Sequence, residues 1–283
     1  SLPSRGLGDV YKRQTLSSMR EALLCQNLAS GSGRRFTVQL KIDTGMTRLG
    51  CNWEDGERLT DAILQLDQLH LCAVYSHLAL ADGELNGDAE RITRLQQERF
   101  EAVTRAHRAQ GLERHLANSA GTLRHASLHH DQVRVGLALY GHAPSAHLER
   151  SLDLQPAMAV KARVSLIREV DAGVGVSYGH RFITDRPSRL AVVGIGYADG
   201  VSRCLSGRIH ALHRGRSLAQ VGSITMDQLV LDVTDHPDIE IGDVVTLLGQ
   251  DGQDVIRPQD WAELAQSIPC LLYTSDAADD LGR

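Results

Sequence analysis

From Thr15 to about Leu152 the chain repeats a helix-then-strand rhythm. Leu16, Met19, Leu23 and Leu24 recur at helical spacing, and Gly31 stops the run. Residues 37–42 (TVQLKI) read as a strand of mixed alternation. Leu59, Ile63 and Leu66 mark a second helix, followed by a nearly continuous apolar strand over 71–75. A longer amphipathic helix opens at Asp88, turns Ile92, Leu95, Phe100 and Val103 inward, and closes at Gly111. The segments 115–118 and 132–140 complete the alternation. Repeated α-then-β units imply a parallel sheet covered by helices, either doubly wound or a (β/α)8 barrel.

Around Leu152–Pro156 the period changes. Residues 159–169 alternate apolar and polar positions, and short strands follow at 190–195, 208–212, 229–233 and 244–248. Turn signals separate them: Asp171-Ala172-Gly173, Asp199-Gly200, His213-Arg214-Gly215 and Gln250-Asp251-Gly252. The expectation is an α/β domain over 15–152 and a mostly β domain over 153–269.

Composition narrows the function classes. A net charge of −5 without a basic run excludes a nucleic-acid footprint. No apolar stretch reaches the roughly 20 residues of a membrane helix, and no signal-peptide pattern opens the chain. Five cysteines (Cys25, Cys51, Cys72, Cys204, Cys270) are scattered, an odd count that points to reduced thiols in a cytoplasm.

The candidate chemistry lies where the predicted parallel strands end. Lys41 to Arg48 (KIDTGMTR), His77 (YSHLA), Ser119 (ANSAG) and Arg134 (VRVGLALYG) each close one strand. Strand C-termini converge on one face in parallel α/β folds, so these groups aim at one pocket. Two arginines, a lysine and a serine suit an anionic small molecule, a phosphate or a carboxylate. Taken singly, each is an ordinary solvated loop residue, and Ser119 an ordinary helix N-cap. The trio His125, His129 and His130 reads as a solvated helix end rather than a metal site.

The ordered segments KIDTGMTRLG, SHLALAD, ANSAGTL, VRVGLALYG, GVSYGHRF, VGIGYADGV and VGSITMDQLVLDV resemble the motif series of alanine racemases. The resemblance runs over Thr15–Pro269. It implies a (β/α)8 TIM-type barrel, its N-terminal strands missing here, followed by a mostly β C-terminal domain. It also implies pyridoxal 5'-phosphate as cofactor, alanine as substrate, a homodimer with shared active sites, and D-alanine supply for the bacterial cell wall. By resemblance Arg134 faces the pyridine nitrogen. An arginine there cannot cede a proton to the ring, which weakens the electron sink and limits side reactions. Ser119, Gly136 and Leu137 correspond to phosphate-binding positions. His77 corresponds to the histidine packed on the ring. Arg48 corresponds to the arginine that meets the phenolic oxygen and the substrate carboxylate, and Lys41 to a lysine often carbamylated to hold that arginine. Tyr178 corresponds to one of two catalytic bases, reaching the other subunit's site; a tyrosine base near neutral pH needs cationic or hydrogen-bonding neighbours. Tyr197, Arg203 and Asp227 correspond to an access gate, and Met226 to the substrate end. Alternatives are a broad-spectrum racemase of the same fold and a non-catalytic, single-barrel pyridoxal-phosphate protein, the latter disfavoured by the second domain.

Two features set this chain apart. The family's cofactor lysine stands in a K-x-x-AYGHG motif, a string this sequence does not contain. In addition, residues 9–14 (DVYKRQ) and 270–275 (CLLYTS) back-translate to reverse complements of one another, one base out of frame. Folding has no use for that relation, which matches a transposase adapter read through in translation. Residues 1–14 and 270–283 are therefore expected to be scars, and the chain an inactive fragment with exposed sheet edges.

Overall fold

The structure is a computed structural model that describes residues 13–149 and 153–269. It forms two compact units that divide between Gln155 and Pro156. Most of the two expected scars, residues 1–12 and 270–283, lies outside the described residues. Arg13 and Gln14 lie inside: Arg13 Nη1 bonds Glu113 Oε2 at 2.6 Å, and Gln14 opens the first strand.

The first unit runs β1 (Gln14–Leu16), α1 (Met19–Ser32), β2 (Phe36–Asp43), β3 (Cys51–Asn52), α2 (Trp53–Leu64), β4 (Leu69–Tyr75), α3 (Asp88–Thr104), β5 (Glu113–His115), α4 (Ser119–Arg124) and α5 (Ala146–Glu149). The strands are parallel, in the order β1-β2-β4-β5, with β3 also beside β2. This is the βα winding of a partial barrel. Val38, Leu40 and Ile42 on β2 are fully buried and pack with Ile63, Phe100 and Leu116. Between β2 and α2, Gly50 holds a φ of +118°, and a Cβ there would meet Asp43 N at 2.7 Å. Only glycine lets the turn close so tightly on the strand.

Five expectations differ from the structure. Leu16 belongs to β1 rather than to a helix. Helix α1 starts after Ser18, whose hydroxyl accepts the Glu21 N–H, and ends on left-handed Gly33 rather than at Gly31. In α3 the buried positions are Thr93, Gln96, Phe100, Val103 and Thr104, while Leu95 is exposed. The helix keeps Phe100 and Val103 inside, and Gln96 shares their face because its amide is fully hydrogen-bonded. Gly111 closes a separate 3-10 turn over 108–110, because α3 has already ended at Thr104. Finally, 132–140 is no strand: Gln132 makes one parallel bridge to His115, then Gly136 (φ −115°, ψ −89°) leaves the extended region. A 3-10 turn over 137–140 follows.

The second unit contains β6 (Val160–Val170), β7 (Gly175–Val176), β8 (Phe182–Ile183), β9 (Ser188–Val193), β10 (His210–His213), β11 (Arg216–Val221), β12 (Leu229–Asp232), β13 (Val244–Asp251), β14 (Asp254–Ile256) and α6 (Pro258–Leu264). The antiparallel order β10-β11-β12-β9-β6-β13 returns on itself through Leu212 opposite Thr246, closing a barrel, with β14 appended to β13. Its interior holds Val193, Leu205, Leu218, Leu229, Leu231 and Val245. Strands β7 and β8 form a separate two-stranded ribbon.

Candidate functional site

The C-terminal ends of β2, β4 and β5 bring Lys41, Tyr75 and His115 onto one face of the parallel sheet, and the chain delivers His77 and Arg134 just beyond. Arg134 is the centre. Its Nη1 donates to His115 Nδ1 at 2.6 Å and His115 O at 3.2 Å. Its Nη2 donates to Ser76 O at 2.6 Å, Leu116 O at 3.3 Å and His77 Nδ1 at 3.3 Å. A guanidinium can only donate, so both imidazoles accept through Nδ1 and carry their proton on Nε2. Burial, then the Arg134 charge, pushes both histidines down to about 4, with Arg48 and Lys41 adding to the effect at His77. Tyr75 completes the floor. Its ring stacks on His115 at 4.7 Å, lies 5.1 Å below the Arg134 guanidinium and 5.6 Å below Lys41 Nζ.

Lys41 is buried, and burial followed by the Arg48 and Arg134 charges pushes its ammonium pKa down. Arg48 stands on an exposed turn built by Asp43. The Asp43 carboxylate accepts the N–H groups of Gly45 and Met46 at 2.9 Å and Thr47 at 3.1 Å. Burial pushes that carboxyl up, but these bonds and a fourth from the Arg48 backbone outweigh it and hold the pKa below its usual 3.8. Among the described residues no carboxylate forms an ion pair with Lys41, Arg48 or Arg134. Asp131, near in sequence, binds Arg114.

Ser119 does not cap its helix. Asn118 does, its Oδ1 accepting Gly121 N at 2.9 Å. The Ser119 hydroxyl oxygen instead accepts Gly136 N at 2.9 Å and Ala138 N at 3.4 Å. Around Gly136 a Cβ would meet nothing within 4 Å, so the turn beside the hydroxyl is open. An uncompensated set of cations next to a hydroxyl-and-amide turn fits an anionic, phosphate-bearing cofactor. His125, His129 and His130 have separate contacts with Ser127, Thr122 O and the Phe100 ring, so they form no cluster.

The remaining residues of interest lie on the second unit. Tyr178 sits in the turn between β7 and β8, 70% exposed. Two serines clasp that turn: Ser177 Oγ donates to Ser223 O at 2.7 Å, and Ser223 Oγ donates to Tyr178 O at 2.8 Å. Tyr197 and Met226 are drawn together, because Tyr197 N donates to Thr225 O and Ala198 N to Met226 O, both at 3.0 Å. Gly196 makes this possible: a Cβ there would fall 2.2 Å from Met226 O. Arg203 and Asp227 are exposed, without side-chain partners among the described residues.

A parallel βα sheet with an anion cradle at its strand ends, on a chain that also carries a closed antiparallel barrel, defines the class of barrel enzymes that work on an anionic cofactor. Comparison with known proteins gives the family. Residues 9–144 match the family model for the alanine racemase N-terminal domain, and residues 157–278 the model for the C-terminal domain. The chain is 57% identical over 263 residues to the alanine racemase of Prochlorococcus marinus, covering 92% of this chain and 68% of that protein. It is 43% identical to the Nostoc enzyme, covering 90% and 66% respectively. Among solved structures, alanine racemase of Clostridium difficile 630 superposes with a TM-score of 0.83 at 31% identity, covering 92% of this chain and 67% of that one. The Bartonella henselae enzyme, solved with covalently bound pyridoxal phosphate, gives 0.80 at 29% identity, covering 97% and 74%. The chain belongs to the alanine racemase family, a pyridoxal-phosphate-dependent family of isomerases, and has its barrel and β-domain fold. It spans about two thirds of the length of the curated relatives it matches. Among the described residues no helix is long and apolar enough to cross a membrane.

Sequence reasoning missed His115, Tyr75 and Gln96. Tyr75 ends a predicted strand, so its position was a usable signal; His115 opens the predicted segment 115–118 and closes a strand only in the structure. Nothing in the local pattern marks Gln96.

Proposed function

We propose that this chain carries the pyridoxal-phosphate cradle and one of the two proton-transferring groups of an enzyme that interconverts L- and D-alanine. The observation that carries the reading is the half-buried Arg134, held by three carbonyls and two neutral imidazoles, with no carboxylate paired to it among the described residues. In this reading Ser119, Gly136 and Leu137 take the phosphate, and His77 and Arg134 take the ring. When bound, pyridoxal phosphate supplies an electron sink for the pair left when the substrate Cα loses its proton. Arg134 keeps its own proton and leaves the pyridine nitrogen unprotonated. Arg48 binds the substrate carboxylate. Lys41 adds carbon dioxide at Nζ and releases a proton; burial favours the neutral amine that this step needs, and the resulting carbamate anion anchors Arg48.

Tyr178 moves the proton on one face of Cα, within a homodimer in which it reaches the partner's pocket; its exposure supports that role. Met226 bounds the substrate end, and Tyr197, Arg203 and Asp227 gate access. The working unit is a cytoplasmic dimer that supplies D-alanine for peptidoglycan. The lysines of this chain are Lys12, Lys41 and Lys161, and none stands in a K-x-x-AYGHG string, so the chain alone is expected not to racemise alanine. Joining residues 15–269 to the remainder of the Prochlorococcus marinus protein should restore racemisation. Tyr178→Phe in that chimaera should then cut turnover by about 10²–10⁴-fold, and unequally in the two directions. Small, equal losses would remove Tyr178 from the chemistry.

A further inference from the structure

Helix α3 reaches under the pocket with one polar side chain. Gln96 is 1% exposed, on a buried face it shares with Thr93, Phe100, Val103 and Thr104. Its Nε2 donates to His77 O at 2.9 Å and to Thr44 Oγ1 at 3.2 Å, and its Oε1 accepts Ala79 N at 2.8 Å. Thr44 and Ser76 share a further bond between buried hydroxyls at 2.8 Å. One turn on, Arg99 donates to Thr44 O at 3.0 Å and lies over the Trp53 ring. The two segments so joined leave the ends of β2 and β4, where backbone groups have lost their ladder partners. One carries Arg48 and the other His77. Gly45 approaches so closely that a Cβ would lie 3.3 Å from Gln96 Cγ. A buried amide with every hydrogen bond made is a rigid brace, and its loss leaves several backbone groups unpaired.

We propose that Gln96 is a positioning residue: its amide ties the Arg48-bearing segment to the His77-bearing segment and thereby fixes where these two side chains stand in the pocket. The inference rests on the pyridoxal-phosphate reading only in its consequence for cofactor binding. Its structural consequence is independent. The His77 ring is surrounded by Lys41 from β2, Arg48 from the following turn and Arg134 beyond β5, so its titration reports the arrangement.

The test uses the full chain with ¹⁵N-labelled histidine, titrated by NMR, in three variants. Gln96→Met keeps the volume and removes all three hydrogen bonds. Thr44→Val removes only the shared hydroxyl. Thr104→Val, on the same helix but bonded only to Phe100 O, is the control. Cutting the brace admits water and loosens the cationic ring, so Gln96→Met should raise the His77 pKa by about one unit or more. Thr44→Val should raise it by less, and Thr104→Val should leave it in place. Pyridoxal phosphate, titrated by absorbance, should bind about tenfold more weakly to Gln96→Met. An unmoved His77 in folded Gln96→Met overturns the proposal. If Gln96→Met does not fold, an unmoved His77 in Thr44→Val overturns it instead. Should His77 shift while the unaltered chain binds no pyridoxal phosphate, the brace stands and the cofactor reading falls. If the cofactor binds and His77 stays, the reverse holds.

Discussion

The antiparallel barrel of the second unit closes on itself where β10 meets β13, whereas the parallel sheet of the first unit ends in two edges, β1 and β5, among the described residues. Helix α1 sharpens the contrast: it buries Ala22 and Ala29 and exposes Leu23, Leu24 and Leu28. A closed barrel satisfies its own backbone, while an open sheet depends on what covers its rims. The two kinds of chemistry divide the same way. The proposed cofactor cradle stands on the open sheet, and the candidate base Tyr178 on the β7–β8 ribbon of the unit that holds the closed barrel.

The largest expected effect is a core truncation. Phe100 is fully buried with the His130 ring against its edge, so Phe100→Ala should destabilise the first unit by about 3–5 kcal/mol. Hydrogen exchange should then accelerate in β2 and β4 and not in β9 or β12. Equal acceleration in both units would mean that they unfold as one body.

Acid should separate the units next. His77 and His115 are pushed from 6.5 to about 4, and His130 is also pushed down, all by burial first and all in the first unit. Depressed histidines bind protons more readily when unfolded. Their contribution is complete above pH 6.5 and is lost progressively as pH falls from 6.5 towards 4. Between pH 7 and 5 the urea midpoint of the first unit should drop. A midpoint that rises on acidification would contradict the neutral-imidazole assignment.

Smaller still is Ser119→Ala, which removes an acceptor of two backbone N–H groups and a hydroxyl of the anion cradle. Phosphate-ester binding should weaken about tenfold, with the circular dichroism spectrum unchanged. The smallest effect belongs to the α1 surface. Leu28 is 65% exposed, so Leu28→Gln should shift stability by no more than about 0.5 kcal/mol in a urea titration.

Most of the architecture was legible because periodicity reports burial. The parallel strands at 37–42 and 71–75 and the β-rich second half follow directly from it. The misreadings share a cause. Leu95 and the α1 leucines are apolar at helical spacing, yet helix rotation is decided by tertiary partners that a single sequence does not display. The 132–140 segment is apolar enough for a strand, but Gly136 and Gly141 bend it into the turn that meets Ser119. Lys41 and His77 were visible because polar groups at or just beyond the ends of apolar strands are conspicuous, while Ser119 and Arg134 stand in the chain beyond β5. Gln96 was not, since a glutamine on a helix is ordinarily solvent-facing and its three hydrogen bonds span distant segments.

The central claim, that the Arg134 pocket is a pyridoxal-phosphate cradle, is tested most directly by adding the cofactor to the full chain and following its histidine ring nitrogens by NMR. Saturable binding should perturb His77 and His115, the two rings bonded to Arg134, and leave His213 and His236 of the second unit unchanged. Failure to bind, or saturation with His77 and His115 unmoved, would contradict the account.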